Sequence, residues 1–377
     1  MVIRPNRLLA SLGFLFLVML VTACNESSHV TDEEGEKPVL DDSLLAEIEE
    51  PQASEIDNTQ VFYSFKDPTS ELYGYINSNG EVIISPKFDQ AFDFSDGLGR
   101  VTVVDDDIIK IGFIDENGDY VIEPQYREAR DFSEGLAAVN SYESEQTIGY
   151  INKQGEKVLV FDQFHDLFPF SDGMAVVGVW EDPDDTFMTM GYINKEGEVV
   201  KEPQYRLASD FSEGFARVDD TEKGYFIDLD GEVLIEAEER HHFYCGFSEG
   251  LACIKDEEER WGFFDKNGDI VIEHQFERVD GFSEGLAPVQ IDWKWGFIDK
   301  EGNIIITPDY DIANRFSEGL AWIRKEDKWG AIDQDGTVLI EPYYDYAEPF
   351  KGGLARVFVE EQEQFVNRNG EVVFKVE

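Results

Sequence analysis

Basic residues are in short supply in this 377-residue chain: 31 lysines and arginines stand against 81 aspartates and glutamates, a formal net charge of −50. A surface of that sign repels nucleic-acid phosphates and anionic lipid head groups, so DNA and RNA are set aside as partners. It suits a cationic partner or a well-solvated exterior in a salty medium, and the second is the expectation. Histidine is scarce too. His29, His165, His241, His242 and His274 fall in no metal-ligand spacing, so neither a metal nor a cofactor is expected. No Gly-x-Ser-x-Gly, Walker or dinucleotide glycine motif occurs. With carboxylates this abundant, a close acidic pair is inevitable and carries no information about hydrolysis. An enzyme is not expected.

Near the N-terminus the apolar run Leu8–Val21 is 14 residues long and follows Arg4 and Arg7, which fits a secretory signal over residues 1–23 and falls short of the ~20 residues of a spanning helix. It ends in Val21-Thr22-Ala23-Cys24, which resembles a bacterial lipobox. The resemblance implies that the Cys24 thiol takes a lipid and becomes the mature N-terminus, with several acyl chains together anchoring stably. Asn25 to Gln60 carries twelve acidic residues and one lysine, Lys37, a composition that cannot bury enough surface to offset its ordering entropy. Residues 24–60 therefore read as a lipidated acidic tether, long enough to span roughly 30–35 Å as a flexible coil.

From residue 61 onward the chain repeats. One turn glycine marks the period: Gly80, Gly118, Gly155, Gly197, Gly231, Gly268, Gly302, Gly336 and Gly370, spaced 38, 37, 42, 34, 37, 34, 34 and 34 residues apart. Six residues earlier a second glycine stands in seven of the nine copies, the exceptions being Tyr225 and Gln364. A third marker, Phe-Ser-(Glu/Asp)-Gly, recurs from Phe94 to Phe316, with an altered copy at Phe350-Lys351-Gly352-Gly353.

The pairs Trp261-Gly262, Trp295-Gly296 and Trp329-Gly330, with FSEGLA near the end of each unit, resemble the bacterial WG-repeat (KWG-type) proteins over residues 61 to 377. Tyr73, Ile111, Ile148, Met190 and Gly224 hold the tryptophan's place in earlier copies, so tryptophan itself is not what every unit needs. The resemblance implies an all-β repeat array of mostly unassigned function.

The residues point the same way. In the unit around Gly302, Trp295 to Asp299 and Asn303 to Thr307 read as strands joined by a three-residue loop with a left-handed glycine, and the LAxV segment supplies another strand. Each unit is thus expected to be a three-stranded antiparallel meander. DENGD at Asp115 and DKNGD at Asp265 are hairpin turns rather than calcium loops, because an EF-hand needs its glycine sixth and a glutamate at twelve. Strand three, such as Ile304-Ile305-Ile306, is apolar on both faces and is expected to be covered on both. The Pro-x-(Phe/Tyr) that follows is expected to end the ladder. The second glycine should mark close backbone approach or a bulge, and the acids of the Ser-Glu-Gly turns should be mostly solvated. Nine such sheets stack into a curved, superhelical solenoid-like array, with a closed propeller-like ring as the alternative.

Several residues are candidates for contact with a ligand. The insertion Glu181 to Met190 accounts for the 42-residue step, and insertions in repeat arrays often fall on the binding face. Trp180 precedes it. Trp261, Trp295, Trp322 and Trp329 would form exposed rows for a glycan, or would pack between units, and packing is favoured. Cys245 and Cys253 are free to pair in an oxidising compartment. Cys253 aligns with Arg100, Arg217 and Arg356 and is expected to point outward. Taken together, the sequence predicts a lipid-anchored extracytoplasmic repeat protein that works by binding, with a protein as partner. Carbohydrate or cell-wall glycan binding is the alternative, and a glycan-cleaving enzyme comes third. The oligomeric state and the choice of plasma or outer membrane are left open.

Overall fold

The computed structural model describes residues 61–142, 148–180, 182, 187–237 and 245–377. The segments read as signal peptide, lipidated Cys24 and acidic tether lie outside the described residues, as do His29, His241, His242, Glu181 and residues 183–186 of the insertion.

Each unit is built outward from its glycine turn. At Gly302 the backbone is left-handed, with φ of 84°. Two residues earlier in the turn sits Lys300, and before it Asp299, whose carboxylate accepts the N–H of Glu301 at 3.1 Å and of Asn303 at 2.8 Å. A side chain able to accept both bonds is what the first turn position requires, and Asn or Asp fills it in all nine units, from Asn77 to Asn367. The hairpin length read from the sequence is therefore the observed one.

The strands this turn joins do not pair in simple register. Trp295 faces Tyr310 and Phe297 faces Ile306, so one residue on strand two lies opposite three on strand three. That one residue is Gly296, and a Cβ built on it would meet the carbonyl oxygen of Ile306 at 2.3 Å and the nitrogen of Pro308 at 2.6 Å. The same bulge recurs at Gly74, Gly112, Gly191, Gly262 and Gly330. Where Tyr225 and Gln364 replace the glycine, the strands pair directly with Glu236 and Lys375 and this bulge is missing. Gly149 pairs directly with Val160 in a unit that has no proline there. Contrary to the sequence expectation, proline does not end the ladder. It occupies the bulge, where no N–H is needed, and the strand resumes at Tyr310.

The units form eight sheets among the described residues, every pairing antiparallel. A four-stranded sheet such as Arg278–Val279, Ala287–Ile291, Lys294–Ile298 and Ile304–Tyr310 adds a two-residue strand to the meander expected from sequence. That short strand belongs to the connection, whose Phe276, Val279 and Phe282 are buried. In one place the connection is a single strand, Tyr120–Ala129. Its Tyr120–Tyr126 part pairs with its own unit, and Glu128 and Ala129 pair with the next, fusing two units into one seven-stranded sheet.

Burial follows the order of strands. Ala321, Trp322, Ile323, Ala331 and Ile332 are all buried, so the two central strands are covered on both faces. Strand three is not. Ile304 is 53% and Ile305 47% exposed while Ile306 is buried, and exposed Val82 and Val233 likewise precede buried Ile84 and Ile235. The expected two-sided cover fails because strand three is the last strand of its sheet. Its third residue packs on the turn glycine of the next unit: Ile84 on Gly118, Ile272 on Gly302, Ile306 on Gly336 and Ile340 on Gly370. Stability passes from unit to unit through these contacts.

The curve of the array continues until its ends meet, which is the ring arrangement the sequence left as an alternative. Gly80 of the first unit packs on Val373 of the last, the second residue of its strand where the other units use the third. The Phe65 and Phe374 rings lie 4.9 Å apart, those of Tyr63 and Phe365 5.7 Å. Arg356 donates to the Ser64 carbonyl at 2.7 Å, and the Tyr63 hydroxyl donates to that of Lys351. First and last sheets remain separate, so side chains rather than a shared strand close this joint.

Candidate functional site

The two ends of the sheets differ in chemistry. At the end carrying the glycine turns, each Ser-Glu-Gly segment is a two-residue hairpin in which both Glu284 (φ 54°) and Gly285 (φ 85°) are left-handed. The Ser283 hydroxyl donates to the carbonyl of Phe316 in the next unit at 2.7 Å, and the same bond links Ser95 to Phe132 and Ser248 to Phe282. The acids face the same way: Glu284 accepts from Gly319 at 2.9 Å and Asp96 from Gly135 at 2.6 Å. Lysines complete the shell, with Lys153 on Asp96, Lys266 on Glu213 and Lys300 on Glu249. These acids are therefore not the solvated turn residues expected from sequence. They clamp one unit to the next.

That clamp has a pH dependence. Partial burial opposes the charge on Glu213 and Glu249, but Lys266 with the Glu249 and Gly250 N–H groups, and Lys300 with that of Gly285, outweigh it and hold both carboxyls below the usual glutamate range. A carboxyl lowered on folding contributes stability above its unfolded value and loses it as pH falls through the folded one. Denaturant midpoints should therefore fall as the pH is lowered past the ordinary glutamate range. Glu213→Gln with Glu249→Gln should flatten that slope.

At the opposite end lie the tips of the hairpins between strands one and two. Several present apolar side chains to solvent: Ile108 and Ile109 in the second unit, Tyr142 in the third, Trp180 and Phe187 in the fourth. The tips adjoin, since the Tyr142 hydroxyl donates to the Ile109 carbonyl at 2.6 Å. Between units two, three and four opens a cleft of about 280 Å³. Its floor is Ile111, Ala138, Val139, Ile148 and Leu167, and its rim is Arg100, Glu128, Arg130, Asn140, His165 and Asp166.

Each rim group is held from below. Arg100 lies 3.6 Å over the Phe92 ring and its Nε donates to Asp131 at 2.6 Å. Arg130 lies over Phe168, with Nη2 3.4 Å from Asp166. His165 Nδ1 accepts the Trp180 N–H at 3.3 Å, which leaves the proton of a neutral ring on Nε2. Sequence reasoning singled out Trp180 but missed His165 and the arginines. The available signal was the loss of Pro-x-(Phe/Tyr) in the third unit, where Phe161-Asp162-Gln163-Phe164 takes its place. There Phe161 and Phe164 are buried against Ile148 and Leu167, two residues of the cleft floor.

The other sequence candidates lie elsewhere. Trp322 is 1% exposed and stacked on Phe350, so it cannot belong to an exposed row; both faces of its strand are covered. Trp261, Trp295 and Trp329 are half-buried, each opposite the aromatic that closes the bulge, Phe276, Tyr310 and Tyr344. Trp293, at 73% the most exposed tryptophan, occupies a tip turn with φ of 64° and was not singled out. Cys253 is fully buried rather than outward, because its strand is also covered on both sides, and it is disulfide-bonded to Cys245.

Comparisons agree with this architecture. A family model described as a WG containing repeat matches residues 73–103, 111–141, 148–179, 190–223, 261–295, 295–329 and 329–361. The stretches it passes over, 224–260 and 362–377, are those where Tyr225 and Gln364 replace the bulge glycine. No curated protein matches the sequence. Among solved structures, a eukaryotic initiation factor is 12% identical with a TM-score of 0.56, covering 84% of this chain and 95% of its own. BamB from Moraxella catarrhalis is 9% identical (TM-score 0.43, 66% of this chain, 86% of that one). AztD from Citrobacter koseri is 10% identical (0.40, 84% and 94%). The first of these is a likeness of fold, a propeller-like arrangement of small sheets. With its repeat matched seven times across more than half of the residues, the chain belongs to the WG-repeat family.

Proposed function

We propose that this protein is a binding scaffold held to the outer side of a bacterial membrane by lipid on Cys24, with residues 1–23 removed as a signal peptide, residues 24–60 serving as a tether and residues 61–377 receiving a protein partner. It has no chemistry of its own in this reading and takes neither cofactor nor nucleic acid. The observation that carries the binding role is the cleft between units two, three and four. Its concave floor is rimmed by polar side chains, one of which, His165, bonds the backbone of the exposed Trp180 just before the insertion. The Cys245–Cys253 disulfide supports an oxidising compartment.

Photo-crosslinking amino acids placed at Tyr142 and Phe187 in cells should give a discrete protein adduct, and the same label at Tyr343, exposed four units away, should not. Cys24→Ser should release the protein from the membrane fraction. Adducts that vanish on digestion of the cell wall would favour the glycan reading. Equal adducts from all three positions would defeat the site.

A further inference from the structure

We propose that the cleft takes a carboxylate carried beside an apolar group, the chemistry presented by the C-terminal residue of a polypeptide; this rests on reading the chain as a scaffold for a protein partner. Three observations lead there. First, size: about 280 Å³ lies just below the roughly 300–1,000 Å³ range of ligand pockets, which suits one residue rather than a larger molecule.

Second, the donors. Arg100, Arg130 and the His165 Nε2–H stand on one rim, in a chain with 81 acidic residues and 31 basic ones. The acids beside them already have partners. Asp131 holds Arg100 at 2.6 Å, Asp166 accepts the Leu167 N–H at 2.9 Å, and Glu128 accepts from Asn140 at 3.3 Å. Arg130 meets Asp166 only at 3.4 and 3.5 Å, well beyond the ~2.7–2.9 Å of a charge-assisted bond. A guanidinium has five N–H donors in a planar fork, so Arg130 can turn to an incoming carboxylate without deserting a tight partner. Third, the floor of Ile111, Ala138, Ile148 and Leu167 offers apolar cover within reach of that fork. Capture of a terminal carboxylate is a recurrent way of reading a peptide end, and here arginine and histidine do the reading.

The test is calorimetric titration of the full chain with three probes: Nα-acetyl-leucine, its amide, and free leucine. Acetyl-leucine should bind and the amide at least ten-fold more weakly. Arg130→Gln should weaken acetyl-leucine about ten-fold and leave the amide unchanged, and since the Arg130 side chain is half exposed the variant should keep the wild-type circular dichroism spectrum. Free leucine binding no better than acetyl-leucine supports a polypeptide terminus; tighter binding assigns the cleft to free amino acids and overturns the terminus. No binding of acetyl-leucine, or equal binding by the variant, overturns the proposal outright. Crosslinking from Tyr142 would survive such a failure, which separates it from failure of the scaffold reading.

Discussion

Gly296→Ala should cost about 3 kcal/mol or more, on the scale of the largest single-substitution effects. The new Cβ would stand 2.3 Å from the Ile306 carbonyl oxygen and 2.6 Å from the Pro308 nitrogen, and both are backbone atoms of a strand that cannot yield without giving up the Trp295 and Tyr310 register. Gly285→Ala makes the informative comparison. Nothing lies within 4 Å of a Cβ there, but φ is 85°, so the penalty is that of a left-handed residue, about 1–2 kcal/mol. Chemical denaturation of both variants beside wild type checks the order. Should Gly285→Ala prove the more damaging, close approach would not be what the WG glycine is for.

The second large effect belongs to the joint between the first and last units. Tyr63 is 4% exposed, its ring lies against Phe365 and its hydroxyl donates to Lys351. Tyr63→Ala should remove roughly 3–5 kcal/mol, as aromatic truncations in a core do. Phe297→Ala, in a unit enclosed by neighbours on both sides, should cost a similar amount. The two should differ in shape. Truncation within the array leaves the ring closed, whereas truncation at a joint made of side chains alone lets it spring open. Small-angle scattering should therefore show a larger radius of gyration for Tyr63→Ala only.

Much of this architecture is legible in the sequence because the repeat prints each local requirement nine times. The turn glycine, the Asn or Asp before it and the hairpin they close follow from backbone geometry within five residues. What the sequence hides depends on partners far along the chain. Pro308 reads as the end of a strand, since only the opposing Gly296 reveals a bulge that needs no N–H. Glu284 reads as a solvated turn residue, since its partner Gly319 lies 35 residues away. Ile304 reads as doubly covered, since nothing in the segment itself says that its strand is the last of its sheet. Closure is hidden for another reason. It accumulates from the small rotation between neighbours, and no single residue encodes it. The cleft is the least legible part, because Arg100, Arg130 and His165 are brought together from three stretches of chain.

Nine small units gain stability by leaning on one another until the first meets the last. Spin labels on Lys66 and Lys375 measure this directly, since each is next to a ring of the Phe65–Phe374 pair, 4.9 Å apart across the joint. Pulsed dipolar spectroscopy should give one short distance, within roughly two sheet spacings of ~10 Å. A distance near roughly 80 Å, expected for nine units stacked in an open line at that spacing, would contradict the ring.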